Sequence, residues 1–171
     1  MKLIGASVLS CVIALMVLSC SKDSAKPSAA ESNAVLLAGA KGQSKAWTLS
    51  QYTEAKNGAA AVDYTSQLDA AFSDNIYTFY NNDTQDYQGD EGATKYNSSD
   101  PSTMEKGTWA FTDNGKTLLV EGTAYSANYL FAGISRPFSI ANLTSVSFTA
   151  SFTAQDTLNN TYLVTLGFSK K

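Results

Sequence analysis

Cysteine is the residue type here with the most defined chemistry, and its placing limits what it can do. Cys20 follows small Ser19 at the end of an apolar run that begins at Leu3, behind the positive Lys2. A thiol in that setting, behind a small residue that a peptidase can accept, has the chemistry of an acyl acceptor at a cleavage point. The run is about 16 residues against the ~20 needed to span hydrocarbon, so it reads as a removed secretory signal, residues 1–19. Several acyl chains, at about 0.8 kcal/mol per buried methylene, would then hold the product on a membrane. Cys11 leaves with the signal, so the mature chain has no thiol for a disulfide, a thiolate metal site or a cysteine nucleophile.

Histidine is absent, which removes Ser-His-Asp and Cys-His catalysis and His-based zinc sites. Carboxylate chemistry is what is left. Asp83, Asp86, Asp90 and Glu91 form an acidic segment with the hard oxygens that calcium takes, but their spacing does not follow an EF-hand loop, and a solvated hairpin loop is the expected role. Asp90 with Glu105 would be a pair suited to glycoside hydrolysis, one group as acid and one as base or nucleophile, yet nothing in the spacing selects them. No catalytic residue, cofactor or metal is expected. The net charge is −3, the lysines are scattered and Arg136 is the sole arginine, so the basic footprint of a nucleic-acid partner is missing.

Residues 20–33 are Ser, Ala, Lys and Asp with one Pro, too poor in apolar surface to fold, and read as a flexible tether. A short helix is expected over 31–40: Ser28 and Glu31 fit a capping box, Val35, Leu36 and Leu37 give an apolar face, and Gly39 or Gly42 ends it. From Lys45 the period becomes two. Trp47 and Leu49, Tyr77 and Phe79, Trp109 and Phe111, Val146 to Phe152, and Tyr162 to Phe168 each alternate with a second row, wet with Ser and Thr most clearly in the last two runs. Further strands are expected over 118–122, 138–143 and 93–97. Asn57-Gly58, Asp113-Asn114-Gly115 and Leu158-Asn159-Asn160 supply turn chemistry between runs. About eight strands in ~125 residues, each with one apolar face, close most economically into a single all-β, antiparallel, up-and-down barrel over residues 34–171.

Val17-Leu18-Ser19-Cys20 resembles a lipobox, with Val17 and Leu18 departing from its commonest form. Ser21-Lys22-Asp23 resembles the surface-export signal of lipoproteins from the phylum Bacteroidota, and Asp23-Ser24-Ala25 and Asp156-Thr157-Leu158 resemble that phylum's O-glycosylation sequon. The chain from Leu36 to Phe168 is similar to lipocalin-like domains of such lipoproteins. The motifs carrying this are Trp47-Thr48-Leu49, Asp74-Asn75-Ile76-Tyr77-Thr78-Phe79, Asp90-Glu91-Gly92-Ala93-Thr94-Lys95 and Gly107-Thr108-Trp109-Ala110-Phe111. The resemblance implies a lipid-anchored protein of the outer membrane. It also implies that Ala71 and Tyr96, which stand where many of those domains have a cysteine pair, lie side by side.

Two functions follow from these readings. Lipocalin-like barrels hold small apolar or amphipathic ligands, and Trp47, Tyr77, Phe79, Trp109, Phe111 and Phe148 would line such an interior, with Phe168 beside them. The other function is a surface recognition module for glycans or proteins, with a filled barrel and Tyr80, Tyr87, Tyr96, Tyr125 and Tyr129 turned outward. An open apolar cavity would favour the first and a filled centre the second.

Overall fold

The computed structural model describes residues 26–132 and 136–171. Residues 1–19, read as a secretory signal, Cys20 and the segment Asp23-Ser24-Ala25 lie outside that range. Helix α1 (Ala29–Ala38) opens with the expected capping box, Ser28 Oγ accepting from the Glu31 N–H at 3.2 Å and the Glu31 carboxylate from the Ser28 N–H at 2.7 Å. Its buried side chains are Ala34, Leu37 and Ala38; Val35 instead faces outward, 48 % exposed, one position off the inner stripe. No helix among the described residues is long and apolar enough to cross a membrane.

The chain then forms β1 (Ser44–Lys56), β2 (Val62–Asp63), a short helix α2 (Ala70–Ser73), β3 (Ile76–Tyr80), β4 (Asp86–Asp90), β5 (Thr103–Thr112), β6 (Thr117–Ala124), β7 (Pro137–Ala141), β8 (Ser147–Gln155) and β9 (Thr161–Lys170). From β3 to β9 each strand pairs antiparallel with its successor, and β9 returns to β1, which pairs with β3 on its other side. The result is a closed eight-stranded up-and-down barrel, with two-residue β2 laid against Thr53 and Glu54 of β1. Closure leaves no long unpaired edge.

Three readings of the sequence are corrected, the first being the tether: residues 29–33 are the first half of α1, because the Ser28–Glu31 capping box starts the helix ahead of its apolar residues. No strand covers 93–97, which is loop; the missing strand is β4, inside the acidic stretch read as a hairpin loop. Tyr87 and Gly89 face its buried side, and pairing on both edges overrides a turn-like composition. Val146 lies outside β8 and is 60 % exposed, so the inward row of β8 starts at Phe148. Strand β1 adds a feature that the rhythm did not show: Leu49 opposes Phe168 and Gln51 opposes Gly167, leaving Ser50 as a bulge. One extra residue reverses which side chains face inward. Trp47 and Leu49 point in before the bulge, and Tyr52 and Glu54 afterwards, opposite buried Leu166 and Val164.

Helix α1 lies at the end where β1 starts. The Trp47 indole N–H donates to Leu37 O at 2.9 Å and the Lys45 ammonium to Leu36 O at 2.7 Å, so the helix's last carbonyls are satisfied by β1. Asn33 Nδ2 donates to Gly115 O and Asn81 Nδ2 to Gly39 O, fixing both ends of α1 to the strand connections. At the opposite end the β8–β9 turn is organised by Asp156, whose carboxylate accepts from the N–H groups of Leu158 and Asn160, from Asn160 Nδ2 and from the Tyr162 hydroxyl. The Asn160 side-chain bond is the main cause that holds this carboxyl down, to about 2. A depressed folded-state value means that this stabilisation is complete above the ordinary aspartate range and lost as pH falls through about 2. A carbon-13 NMR titration of the Asp156 carboxyl should show that midpoint, and an ordinary midpoint near 4 would mean the turn is not formed this way.

Candidate functional site

The expected interior residues are brought together, but as packing. Trp47, Tyr77, Phe79, Trp109 and Phe148 are all at most 2 % exposed. Their rings meet edge to face or stacked: Trp47 with Phe148 at 5.0 Å, Phe148 with Phe168 at 4.6 Å, Tyr77 with Phe168 at 5.8 Å, and Phe79 with Trp109 at 6.0 Å. Phe111 is half-buried at the margin of this cluster, its ring edge to face with Trp109 at 5.8 Å, and it lines an outer cleft of about 510 Å³ between α1 and the β3–β4 turn.

The centre of this cluster is a residue that strand periodicity did not mark. Phe131, in the connection between β6 and β7, is fully buried, with its ring 4.9 Å from Phe138, 5.6 Å from each of Tyr77, Tyr87 and Phe168, and 5.8 Å from Phe79. The connection doubles back into the barrel and plugs it. Its sequence signal was Leu130-Phe131-Ala132, an apolar triplet within the connection between β6 and β7.

A buried carboxylate holds the plug. Glu105, on β5 and fully buried, accepts from the Tyr87 hydroxyl at 2.6 Å and from the N–H groups of Leu130 (3.2 Å), Phe131 (3.0 Å) and Ala132 (2.5 Å). Burial pushes its carboxyl up from the ordinary glutamate value, with these donors pulling the other way. Burial, with Glu105 close by, also raises the phenols of Tyr77 and Tyr87, so both stay neutral and the Tyr87 hydroxyl keeps the proton it donates to Glu105. Gly89 makes the room, since a Cβ there would lie 2.6 Å from Glu105 Cγ. Glu105 therefore latches the loop and is not paired with Asp90, whose carboxylate accepts from Gln88 and Thr103.

Beside the plug an open cleft of about 260 Å³ remains at the barrel mouth, lined by Tyr52, Glu54, Tyr64, Gln67 and Leu68. The bulge at Ser50 turns the first two inward, and the segment after β2 folds Tyr64 over them, held by Thr65 Oγ1 accepting from the Tyr52 N–H at 2.9 Å. The two tyrosine rings lie 6.4 Å apart and tilted by 52°. The Tyr52 hydroxyl donates to Glu54, and partial burial, then Glu54, keeps that phenol well above its usual range. Aromatic faces, a carboxylate and an amide around a small hollow suit a ligand bearing both hydroxyls and C–H faces. The sequence concealed this site because Tyr52 and Glu54 change sides at the bulge.

The other tyrosines divide. Tyr96 and Tyr125 are more than half exposed, Tyr80 and Tyr129 are half-buried, and Tyr87 is buried, a correction that follows from β4 being a strand. The Tyr96 ring meets that of Phe72, the neighbour of Ala71, at 5.6 Å. Of the acidic segment, Asp83 pairs with Lys41 at 2.7 Å in open solvent, and Asp86 accepts from Asn82 and Thr84 within its own turn. Among the described residues no three acidic side chains gather as a metal site. Thr157 of the second sequon is exposed at the tip of the β8–β9 turn. Comparison with known proteins gives no match, either to a family model or to a curated sequence.

Proposed function

We propose that this protein is a recognition module of the bacterial outer membrane, anchored through acylated Cys20, which binds its target with the mouth of a filled, lipocalin-like barrel. The observation that carries this reading is Phe131, which occupies the space an apolar ligand would need. The mouth cleft falls below the ~300 Å³ at which sites for drug-sized ligands begin, so a single sugar residue of a larger glycan is the appropriate occupant. Tyr52 and Tyr64 supply C–H stacking faces, and Glu54 and Gln67 supply hydrogen bonds to hydroxyls.

Native mass spectrometry of the protein purified from its own host separates this reading from an internal ligand site. The expected spectrum contains the acylated chain with no retained apolar molecule, while a stoichiometric lipid lost on denaturation would refute the filled barrel. Palmitate labelling that disappears in Cys20→Ala supports the anchor, and label persisting in that variant refutes it.

A further inference from the structure

Glu91 follows the last residue of β4 and is 6 % exposed, yet neither of its carboxylate oxygens has a hydrogen-bond partner. Among the described residues the sole ion pair is Lys41 with Asp83, so no basic side chain neutralises it. Leaving a buried carboxylate uncompensated costs several kcal/mol. Glu105, also buried, shows what compensation looks like in this fold: it accepts from one hydroxyl and three backbone N–H groups.

The surroundings of Glu91 repeat the same deficit. Ile76 opposes Asp90, which places Asn75 across from Glu91 at the mouth end of the β3–β4 ladder. Gly92 N–H donates to Asn75 Oδ1 at 3.3 Å and Thr94 N–H to Asp74 Oδ2 at 2.8 Å, lacing residues 91–94 onto Asp74 and Asn75. The fit is close: a Cβ on Gly92 would come within 2.3 Å of Asp74 Oδ1. Asn128, from the plug loop, spends Nδ2 on Ala71 O at 2.7 Å and leaves its oxygen free. Four buried oxygens therefore have no donor: Asp74 Oδ1, both oxygens of Glu91 and Asn128 Oδ1.

We propose that Asp74, Glu91 and Asn128 bind one calcium ion. All four atoms are hard oxygens, and two carboxylates match a divalent charge. Calcium takes six to eight oxygens in irregular geometry, with water completing the shell, whereas magnesium demands a near-ideal octahedron. The unpartnered Nδ2 of Asn75 would donate to a carboxylate oxygen of the site rather than ligate. The ion would join β3, the end of β4 and the plug loop, reinforcing from a second side the closure that Glu105 makes.

The test uses the full chain stripped with EGTA. Calorimetric titration with calcium chloride should give one ion per chain, and thermal unfolding should shift up by several degrees at saturating calcium. Terbium should bind in the ion's place, with luminescence sensitised by neighbouring Tyr77. Glu91→Gln should weaken calcium binding at least 10-fold, while Asp83→Asn, an exposed carboxylate in the β3–β4 turn, should leave it intact. No heat and no thermal shift in 10 mM calcium would overturn the proposal. Equal response to magnesium would overturn the assignment to calcium.

Discussion

Phe131→Ala is expected to lower the unfolding free energy by about 3–5 kcal/mol, measured by urea denaturation. Phe131 is fully buried and its ring touches five other aromatic rings, so both the transfer of the side chain and the loss of contacts count against the variant. What decides the magnitude is whether the hole can collapse. The walls are strands of a closed barrel, and the loop carrying residue 131 is tied by Glu105 through three successive backbone N–H groups, so neither side can move in. The cavity should stay open and dry, because its lining is aromatic and aliphatic. Phe131→Ala should therefore gain saturable binding of an apolar probe such as 1-anilinonaphthalene-8-sulfonate while retaining the β-sheet circular dichroism of the wild type. Phe131→Leu should lose less, because it leaves a smaller hole. A loss under about 1 kcal/mol with no probe binding would show that Phe131 does not fill the centre.

The strand rhythm that announced the barrel was strongest where a strand has one wet face. Phe148, Ala150 and Phe152 in β8 alternate with Ser and Thr, and Val164, Leu166 and Phe168 in β9 with Thr165, Gly167 and Ser169; there the periodicity and the observed burial agree, save at Gly167, which is buried beneath Gln51. Strand β4 failed that test for a physical reason. Asp-Tyr-Gln-Gly-Asp has a glycine at one of its two buried positions and aspartates at both ends, so its pairing with β3 and β5 is a tertiary fact. The candidate site was less legible than the fold, and again for reasons that individual residues make plain. Tyr52 and Glu54 were assigned no role because a bulge at Ser50 carries no compositional signature, yet a one-residue slip changes the face of everything after it. Glu105 sits in Met-Glu-Lys, which reads as ordinary half-exposed strand, until Met104 bulges against Gly89 and Asp90 and both Met104 and Glu105 become buried. Phe131 lacks periodicity altogether because it acts as one inserted side chain.

Glu105→Ala is the companion experiment, with an expected loss again of about 3–5 kcal/mol. The substitution leaves the Tyr87 hydroxyl and the N–H groups of residues 130–132 buried without their acceptor, and each unsatisfied donor costs about 1–3 kcal/mol unless the loop swings out to find water. Swinging out is the cheaper response, and it drags Phe131 from the centre. Glu105→Gln keeps one acceptor oxygen and should fall between the two. Because burial raises the Glu105 carboxyl, the stability linked to its protonation is fully present below the ordinary glutamate range and is lost as pH rises through the raised folded-state value. The wild type should therefore lose stability relative to Glu105→Gln on going from pH 4 to pH 8. The combination with Phe131→Ala tests the mechanism itself. If Glu105 acts by holding Phe131 in place, the double variant should be destabilised by clearly less than the sum of the single losses, an interaction of 1 kcal/mol or more being typical of residues that share a partner. Additive losses would mean that latch and plug stabilise the barrel independently, and that the filled interior does not depend on this carboxylate.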